Sequence, residues 1–350
     1  MTLSVLLLDD QLTTGWDEFV QANQGTGYLL SQWKDVIEGA FGHRSYYLAC
    51  LNEDQKIVGV LPLVQQKSLI FGNFLTSIPF LNYGGLLTTS NESADALLEY
   101  AENLRKQLGC SHVELRMESA IDGQVNHINH DNCRTDKVTM LLELPEESDA
   151  LWQAIGSKRR AQVKRPIREG AEFKVGSLEL LDDFYKVFAR NMRDLGTPVY
   201  SRRFFKEVLQ RLRDNAYLAI VYIKEEPVGC GFLVRNNDRI EIPWASTNRD
   251  FNRFGVNMFL YWKILEHAID QKAKIFDFGR SSKDAGTLKF KKQWGATQHQ
   301  LYWYYLLPKN EKLPQINHQN SRFQLMINTW KKLPVAIANL IGPLVVKNIP

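Results

Sequence analysis

The sequence predicts an α/β fold made of two tandem mixed-sheet units, and two observations lead to that prediction. Its 350 residues, 44% of them apolar, suffice for two hydrophobic cores of ordinary size and are too many for one. One order of strands and helices also occurs twice along the chain. Since no low-complexity tract interrupts it, the whole chain is expected to be globular.

The repeat is clearest in two predicted hairpins, at residues 46–64 and 216–234. Each reads strand, polar turn, strand, with Val58-Gly59 and Val228-Gly229 at the same place in the two copies. A third extended stretch follows each hairpin, and then a helix predicted at 93–108 or 256–271. A closing strand ends each copy, at 110–116 or 274–280.

A β-β-β-α-β order of this kind is typical of acetyltransferase-like units, so by analogy of fold we predict two tandem GNAT-like domains. An acidic helix-start signature at residues 145–149 separates them. The predicted N-terminal domain is 1–147 and the C-terminal domain, with the active site, is 148–307. Residues 308–350 are predicted to be a tail with an amphipathic helix.

Charge is distributed unevenly between the halves. Residues 1–149 hold 9 Lys+Arg against 21 Asp+Glu, whereas residues 150–350 hold 34 against 18. Because clustered cations attract anions, we expect the second half to meet a phosphate-bearing partner. Mutual attraction of the halves is the alternative.

The remaining composition points to the cytoplasm. The four cysteines share no short spacing, so we expect neither a disulfide framework nor a metal site. The N-terminus lacks the basic region of a signal peptide, so a cytoplasmic location is predicted.

The densest basic stretch, residues 157–168, has six cations and no acid. A solvated helix would usually interleave glutamates, so contact with phosphate or tRNA is one interpretation and a solvated face the other. The candidate ligands of donor phosphates are Lys158, Arg159, Arg160, Lys164 and Arg165.

A second candidate site lies at 276–282, where an apolar strand ends in polar residues, as α/β ligand sites do. Asp277 could orient an amine or take its proton, and Arg280 could bind a carboxylate or phosphate. The alternative is an Asp277–Arg280 ion pair that only holds the loop.

A third lies at 286–296, where a loop running into a short turn is expected for 286–292. A lysine there could stabilise the oxyanion formed when an amine attacks an ester or thioester; an edge strand with solvated lysines is the alternative. The segment Asn252-x-x-Gly255-x-Asn257 is one glycine short of a coenzyme A pyrophosphate turn, which weakens that type of site.

The chain resembles the FemABX family of peptidyl and aminoacyl transferases. Within that family it is most similar to the FemAB-like proteins that accompany exosortase (PEP-CTERM) and exopolysaccharide systems. Four segments carry the resemblance, which covers nearly the whole chain: 196–205, 243–246, 276–282 and 286–296.

The resemblance implies transfer of an aminoacyl or acyl group to an amine of a cell-envelope or saccharide precursor that could be lipid-linked. The donor, aminoacyl-tRNA or acyl-CoA, is a co-substrate, and no bound cofactor is expected. The family's catalytic lysine maps onto Lys291, and Asp277 is the second expected catalytic residue. Expected substrate-binding residues are Tyr200, Trp244, Ser246, Asn257, Arg280, Ser281, Lys289 and Trp294.

Two other classes of function stay open. One is a non-catalytic binding module of a polysaccharide or exosortase system, and the other is a general acetyl-CoA N-acetyltransferase. The tail leaves a further choice, because its apolar run at 333–346 is too short to span a bilayer. It could lie at the inner face of a membrane or pack on the second domain.

Overall fold

The computed structural model describes residues 2–68, 71–283, 286–314 and 321–349, without the side chains of 321–323. The described residues form two compact units. The first takes those of Met1–Val138, His299–Gln315 and Asn348–Pro350, and the second takes those of Thr139–Gln298 and Ile316–Lys347.

The first half of the chain alternates helices with strands. In order it contains β1 (Ser4–Leu7), α1 (Thr13–Ala22), α2 (Gln32–Phe41), β2 (Arg44–Leu51), β3 (Ile57–Ser68), β4 (Gly72–Thr76), β5 (Leu87–Thr88), α3 (Asn91–Gln107), β6 (Val113–Met117), β7 (Cys133–Arg134) and β8 (Lys137–Glu143).

The second half repeats the order after two added helices. It contains α4 (Ser148–Ala154), α5 (Ser157–Ile167), β9 (Ala171–Gly176), α6 (Leu181–Leu195), α7 (Arg202–Leu212), β10 (Ala216–Ile223), β11 (Glu226–Asn236), β12 (Arg239–Thr247), α8 (Val256–Asp270), β13 (Ile275–Ser282), α9 (Gly286–Lys292), β14 (Thr297–Gln300), β15 (Tyr302–Leu306), α10 (Ser321–Trp330) and α11 (Val335–Val346).

Each unit has one mixed sheet, as predicted for tandem GNAT-like domains. The first sheet runs β1-β2-β3-β4-β6-β15-β7, with β5 beside β3, and the second runs β14-β8-β13-β12-β11-β10-β9. In both, antiparallel hairpins lead to a parallel pair, β4 with β6 and β12 with β13. The predicted hairpins, long helices and closing strands are confirmed, within a few residues at their ends.

The two repeated glycines, Gly59 and Gly229, have the same packing role in both copies. A Cβ atom on Gly59 would stand 2.9 Å from Leu97 of α3, and one on Gly229 would stand 2.9 Å from Val256 of α8. Each glycine therefore lets a long helix pack closely on its hairpin. The shared Val-Gly dipeptide reflects helix-on-sheet packing in each copy.

The boundaries of the units differ from the predicted domains 1–147 and 148–307. Strand β15 pairs with β6 in the first sheet, so the aromatic segment near 302–306 does not belong to the second unit. Strand β8, from the end of the first half, is instead a neighbour of β13 in the second sheet. Each sheet is thus completed by a strand from the other half of the sequence.

The tail packs on the second unit. Helix α11 contacts α6, and Arg193 of α6 donates to the carbonyl of Leu333 at 2.9 Å. At Gly342 the approach is close, since a Cβ atom there would stand 3.0 Å from the backbone nitrogen of Val199. Among the described residues, no helix combines the length and the hydropathy that crossing a membrane requires.

Candidate active site

The site is built around Lys291, whose side chain is 7% exposed. Its Nζ donates to the carbonyl oxygens of Gly279 at 2.7 Å and Arg280 at 3.1 Å. Both carbonyls lie near the end of β13, and Lys291 projects from α9. The segment expected to be a loop or edge strand is therefore a short helix, and this helix carries the lysine to the strand end.

Asp277 lies below that strand end and is fully buried. Its Oδ1 accepts from Thr139 Oγ1 at 2.7 Å and from the Gly279 N–H at 2.8 Å, and its Oδ2 accepts from the Arg239 guanidinium. Among the described residues, the arginine that pairs with Asp277 is Arg239, which contradicts the alternative of an Asp277–Arg280 pair. Asp277 thus accepts a hydrogen bond from the Gly279 N–H, and the carbonyl of Gly279 in turn accepts one from Lys291.

The two charges shift each other's titration. Burial lowers the pKa of Lys291 to about 8, although the carboxylates of Asp277 and Glu241 raise it. Burial raises the pKa of Asp277 to about 7, although the Gly279 N–H and the Lys291 ammonium lower it. The touching Arg239 guanidinium also favours the carboxylate, so we take Asp277 to be ionised at neutral pH.

Lys291 lines a cleft of about 690 Å³, here called the Lys291 cleft, which is in the usual range for a small-ligand site. Its walls come from α5, α6, β12, α8, α9 and the turn before α8. The polar lining consists mainly of carboxamides and hydroxyls: Gln162, Asn191, Ser246, Thr247, Asn252, Asn257, Tyr261, Thr287 and Gln293, with Arg165 and Lys291 as the cations.

Of the predicted site residues, the structure brings Arg165, Ser246, Asn257 and Lys291 together on this cleft. Ser246 accepts from Asn191 Nδ2 at 3.0 Å, which fixes its hydroxyl. The four lie on α5, β12, α8 and α9, and the fold brings these elements together around the cleft.

Other predicted binding residues lie elsewhere. Trp244 is buried in an aromatic cluster, edge-on to Phe204 and Phe205, and Tyr200 contacts the same cluster. Trp294 is 2% exposed and packs near Phe290, while Lys289 is exposed to solvent. The Trp244 and Trp294 rings therefore fill the core of the unit.

Arg280 and Ser281 occupy the strand end itself. The carbonyl of Arg280 accepts from Lys291, and its side chain is half-buried. Ser281 is 5% exposed, and its Oγ has no hydrogen-bond partner among the described residues. A buried hydroxyl of this kind is available to a ligand group or an ordered water.

The basic stretch forms α5, and its cations have different surroundings. Arg159 donates to the carbonyl of Ile155 at 2.8 Å, and Arg160 donates to those of Trp152 and Gln153. Both thereby satisfy carbonyls at the end of α4.

Within the described residues, the other cations of α5 are not tied to carbonyls of α4, and two of them line clefts. Arg165 lines the Lys291 cleft, and Lys158 is exposed. Lys164 lies 5.7 Å from the Trp152 ring centre, in a second cleft of about 540 Å³. Phosphate contact is thus open to Lys158, Lys164 and Arg165, whereas Arg159 and Arg160 are occupied within the fold.

Sequence reasoning missed the partners of the buried acid and most of the polar lining. Thr139 lies 138 positions from Asp277, and Arg239 lies on a neighbouring strand. Asn191 is one amide on an amphipathic helix. None of these positions belongs to a short motif, so no local signal could have identified them. Among the described residues, no cluster of His, Cys, Asp and Glu could hold a metal ion.

Comparison with known proteins concerns the part of the chain that contains this cleft. Residues 157–292 match the family model of the acetyltransferase (GNAT) domain. None of the curated proteins compared with the chain matches it.

Solved structures show the same tandem fold at low identity. FemX is 14% identical with a TM-score of 0.67, covering 87% of this chain and 97% of FemX. A tandem GNAT protein from the clavulanic acid biosynthesis pathway is 14% identical with a TM-score of 0.58, covering 88% and 100%. The C-terminal domain of a putative lysylphosphatidylglycerol synthetase from Agrobacterium fabrum is 12% identical with a TM-score of 0.57, covering 91% and 95%.

The matched segment contains α5, α6, β12, α8 and α9, which are the helices and the strand that line the Lys291 cleft. The chain therefore carries an acetyltransferase (GNAT) domain at residues 157–292 within a tandem GNAT-like fold, and the protein is an acyltransferase.

Proposed function

We propose that this acyltransferase moves an aminoacyl or acyl group from an activated donor to an amine of a cell-envelope or exopolysaccharide precursor. The observation that carries the proposal is the setting of Lys291, a buried lysine held by two carbonyls on the wall of a polar cleft. An ammonium has three donors, and contacts with the described residues use two of them. The third is available for a ligand oxygen.

The chemistry proposed for this lysine is electrostatic. As the amine nitrogen bonds to the carbonyl carbon of the donor, negative charge develops on the carbonyl oxygen. A cation already in place stabilises that charge without reorganisation. When the tetrahedral intermediate collapses, the bond to the thiolate or ribose oxygen breaks, and the proton lost by the amine goes to that leaving group or to solvent.

The donor's phosphates are proposed to bind where α8 begins. Gly255, with φ +82°, precedes the helix, and no side chain in the described part of the chain caps the first N–H groups of the helix. Arg165 and Asn257 line the same cleft. An uncapped helix N-terminus beside a guanidinium favours an anion, which both acyl-CoA and aminoacyl-tRNA supply.

The acceptor is proposed to be lipid-linked. A structural neighbour is a putative lysylphosphatidylglycerol synthetase, whose named product is a lipid. The segments 276–282 and 286–296 resemble those of FemAB-like proteins that accompany exosortase and exopolysaccharide systems. This resemblance supports the proposal that the enzyme acts in a system of that kind. We accordingly propose a cytoplasmic protein in peripheral contact with the inner face of the membrane.

Label transfer from the donor tests the reaction. Purified protein is incubated with radiolabelled acetyl-CoA or aminoacyl-tRNA and with amine acceptors such as an amino sugar or a peptidoglycan precursor. We expect label in an acid-stable amide with one donor. Lys291→Ala should reduce the rate at least a hundredfold, consistent with loss of one oxyanion-stabilising group.

The matched control is Lys292→Ala, because Lys292 is the exposed neighbour on the same helix. It should retain the wild-type rate and melting temperature. If Lys291→Ala folds normally and keeps the wild-type rate, the lysine assignment is wrong. Donor binding without any label transfer would instead favour a non-catalytic binding module.

A further inference from the structure

Helix α11 leaves an apolar face uncovered. It has no charged residue, and Asn339 is its one amide. A helix that is apolar all round is normally buried on every side or lies in lipid. Here the side containing Ala338, Gly342 and Val346 is buried, whereas Leu340 is 74% exposed and Leu344 is 61% exposed.

Helix α10 also exposes large apolar side chains. Leu325 is 67% exposed and Met326 is 62% exposed, while Ile327 of the same helix packs against Gly196. Of the eleven exposed large apolar side chains among the described residues, five lie between positions 325 and 344. Such clustering distinguishes a binding surface from the scattered apolar residues that any protein exposes.

The charged residues of the same segment are all basic. From Lys312 to the end, the sequence has five Lys and Arg residues and no Asp or Glu. Lys331 and Lys332 are exposed at the junction between α10 and α11. Apolar side chains together with unbalanced cations fit a partner that has an apolar interior and an anionic surface.

We propose that the exposed face of α10 and α11 is a preformed docking surface for an anionic lipid bilayer. The twelve residues of α11 extend about 18 Å, well short of the roughly 30 Å of a bilayer core, so the helix lies in the interface. Leu340 and Leu344 enter the acyl region while the lysines contact lipid phosphates. This inference rests on the membrane contact of the proposed function and deepens it, because it assigns that contact to a surface that does not line the Lys291 cleft.

Vesicle flotation of the full chain, without donor or acceptor, tests this surface. The protein should float with vesicles rich in phosphatidylglycerol and stay behind with pure phosphatidylcholine. Leu340→Glu with Leu344→Glu should weaken partitioning at least tenfold. Lys331→Gln with Lys332→Gln should weaken it roughly fivefold per lysine and reduce its salt dependence.

The matched control is Leu178→Glu, at a leucine that is 41% exposed in the same unit and outside the tail. It should float like wild type, and all variants should keep the wild-type melting temperature. No flotation of wild type at low salt would overturn the proposal. So would a wild-type dimer that the leucine variants make monomeric while neither binds vesicles, because a second copy would then cover this face. Failure of label transfer would leave the flotation result unaffected.

Discussion

Lys291 illustrates how one residue can combine burial with charge. The neighbouring carboxylates and two carbonyls compensate for much of the cost of removing an ammonium from water. The remaining cost lowers the pKa of Lys291 to about 8. The lysine therefore titrates within the pH range of an ordinary activity assay.

We predict an alkaline decline in kcat/KM centred near pH 8. Below that pH the lysine is charged and can stabilise an oxyanion, and above it the charge is lost. A rise through pH 8 with no decline would indicate that neutral Lys291 acts as a base. The pH profile should be measured with an acceptor amine whose own pKa is known, so that its titration can be separated from that of the enzyme.

Asp277 is predicted to matter more for the strand end than for proton transfer, because it is buried beneath the cleft. Asp277→Ala would leave the Arg239 guanidinium without its carboxylate and the Gly279 N–H without its acceptor. We expect a loss of about 3–5 kcal/mol in the free energy of unfolding, measured by urea denaturation. Asp270→Ala, at an exposed position on α8, is the control and should change that energy little.

At the scale of elements, helix α5 separates two uses of positive charge. Arg159 and Arg160 satisfy the end of α4, whereas Lys164 and Arg165 face the two clefts. A single basic helix thus contains a structural pair and a pair available to ligands.

We predict that Lys164→Gln with Arg165→Gln will weaken binding of a phosphate-bearing donor and flatten the slope of log affinity against log salt, because fewer counterions are released. Their melting temperature should stay at the wild-type value. Arg159→Gln with Arg160→Gln should show the reverse, a lower melting temperature with little change in slope. If both double variants keep the wild-type slope, α5 does not contact the donor.

The tail is a second element with two faces. We predict that truncation after Leu307 will lower the melting temperature by several degrees, because it uncovers the surface of α6 and the backbone at Val199. The truncated chain should also fail to float with anionic vesicles. An unchanged melting temperature would show that the tail contributes little to the stability of the second unit.

At the scale of the whole molecule, the two copies keep one plan and have diverged at the ligand end. Each has a buried acid on its closing strand that accepts from a hydroxyl on the exchanged strand. Asp277 accepts from Thr139, and Glu114 accepts from Tyr305 at 2.8 Å. In the first copy, however, Ser90 caps α3, and the cleft beside it encloses about 290 Å³. The first copy has therefore closed the helix end that the second copy leaves open.

We predict that Ser90→Ala will lower the free energy of unfolding by about 1 kcal/mol through loss of the cap. It should leave the transfer rate per folded molecule and donor affinity unchanged. A loss of donor affinity in a folded Ser90→Ala protein would show that the first copy also takes part in donor binding.

Much of the architecture could be predicted from the sequence, because repeated hairpins and helix periodicity are local signals. The family resemblance likewise indicated Lys291, which lines the cleft. The role of Trp244 could not be predicted in this way, because the sequence around a ligand-binding tryptophan can be the same as that around a core tryptophan. Only its neighbours Phe204 and Phe205 reveal that it packs inside the unit.

The sequence by itself determined the two α/β units, the position of their helices and hairpins, and the basic character of the second half. Only the tertiary structure decided which strand completes each sheet, that Arg239 and Thr139 hold Asp277, and which cations of α5 remain available. The physical reason is range. Strand and helix periodicity arises between residues a few positions apart, whereas strand exchange and a buried ion pair depend on residues that become neighbours only after the chain has folded.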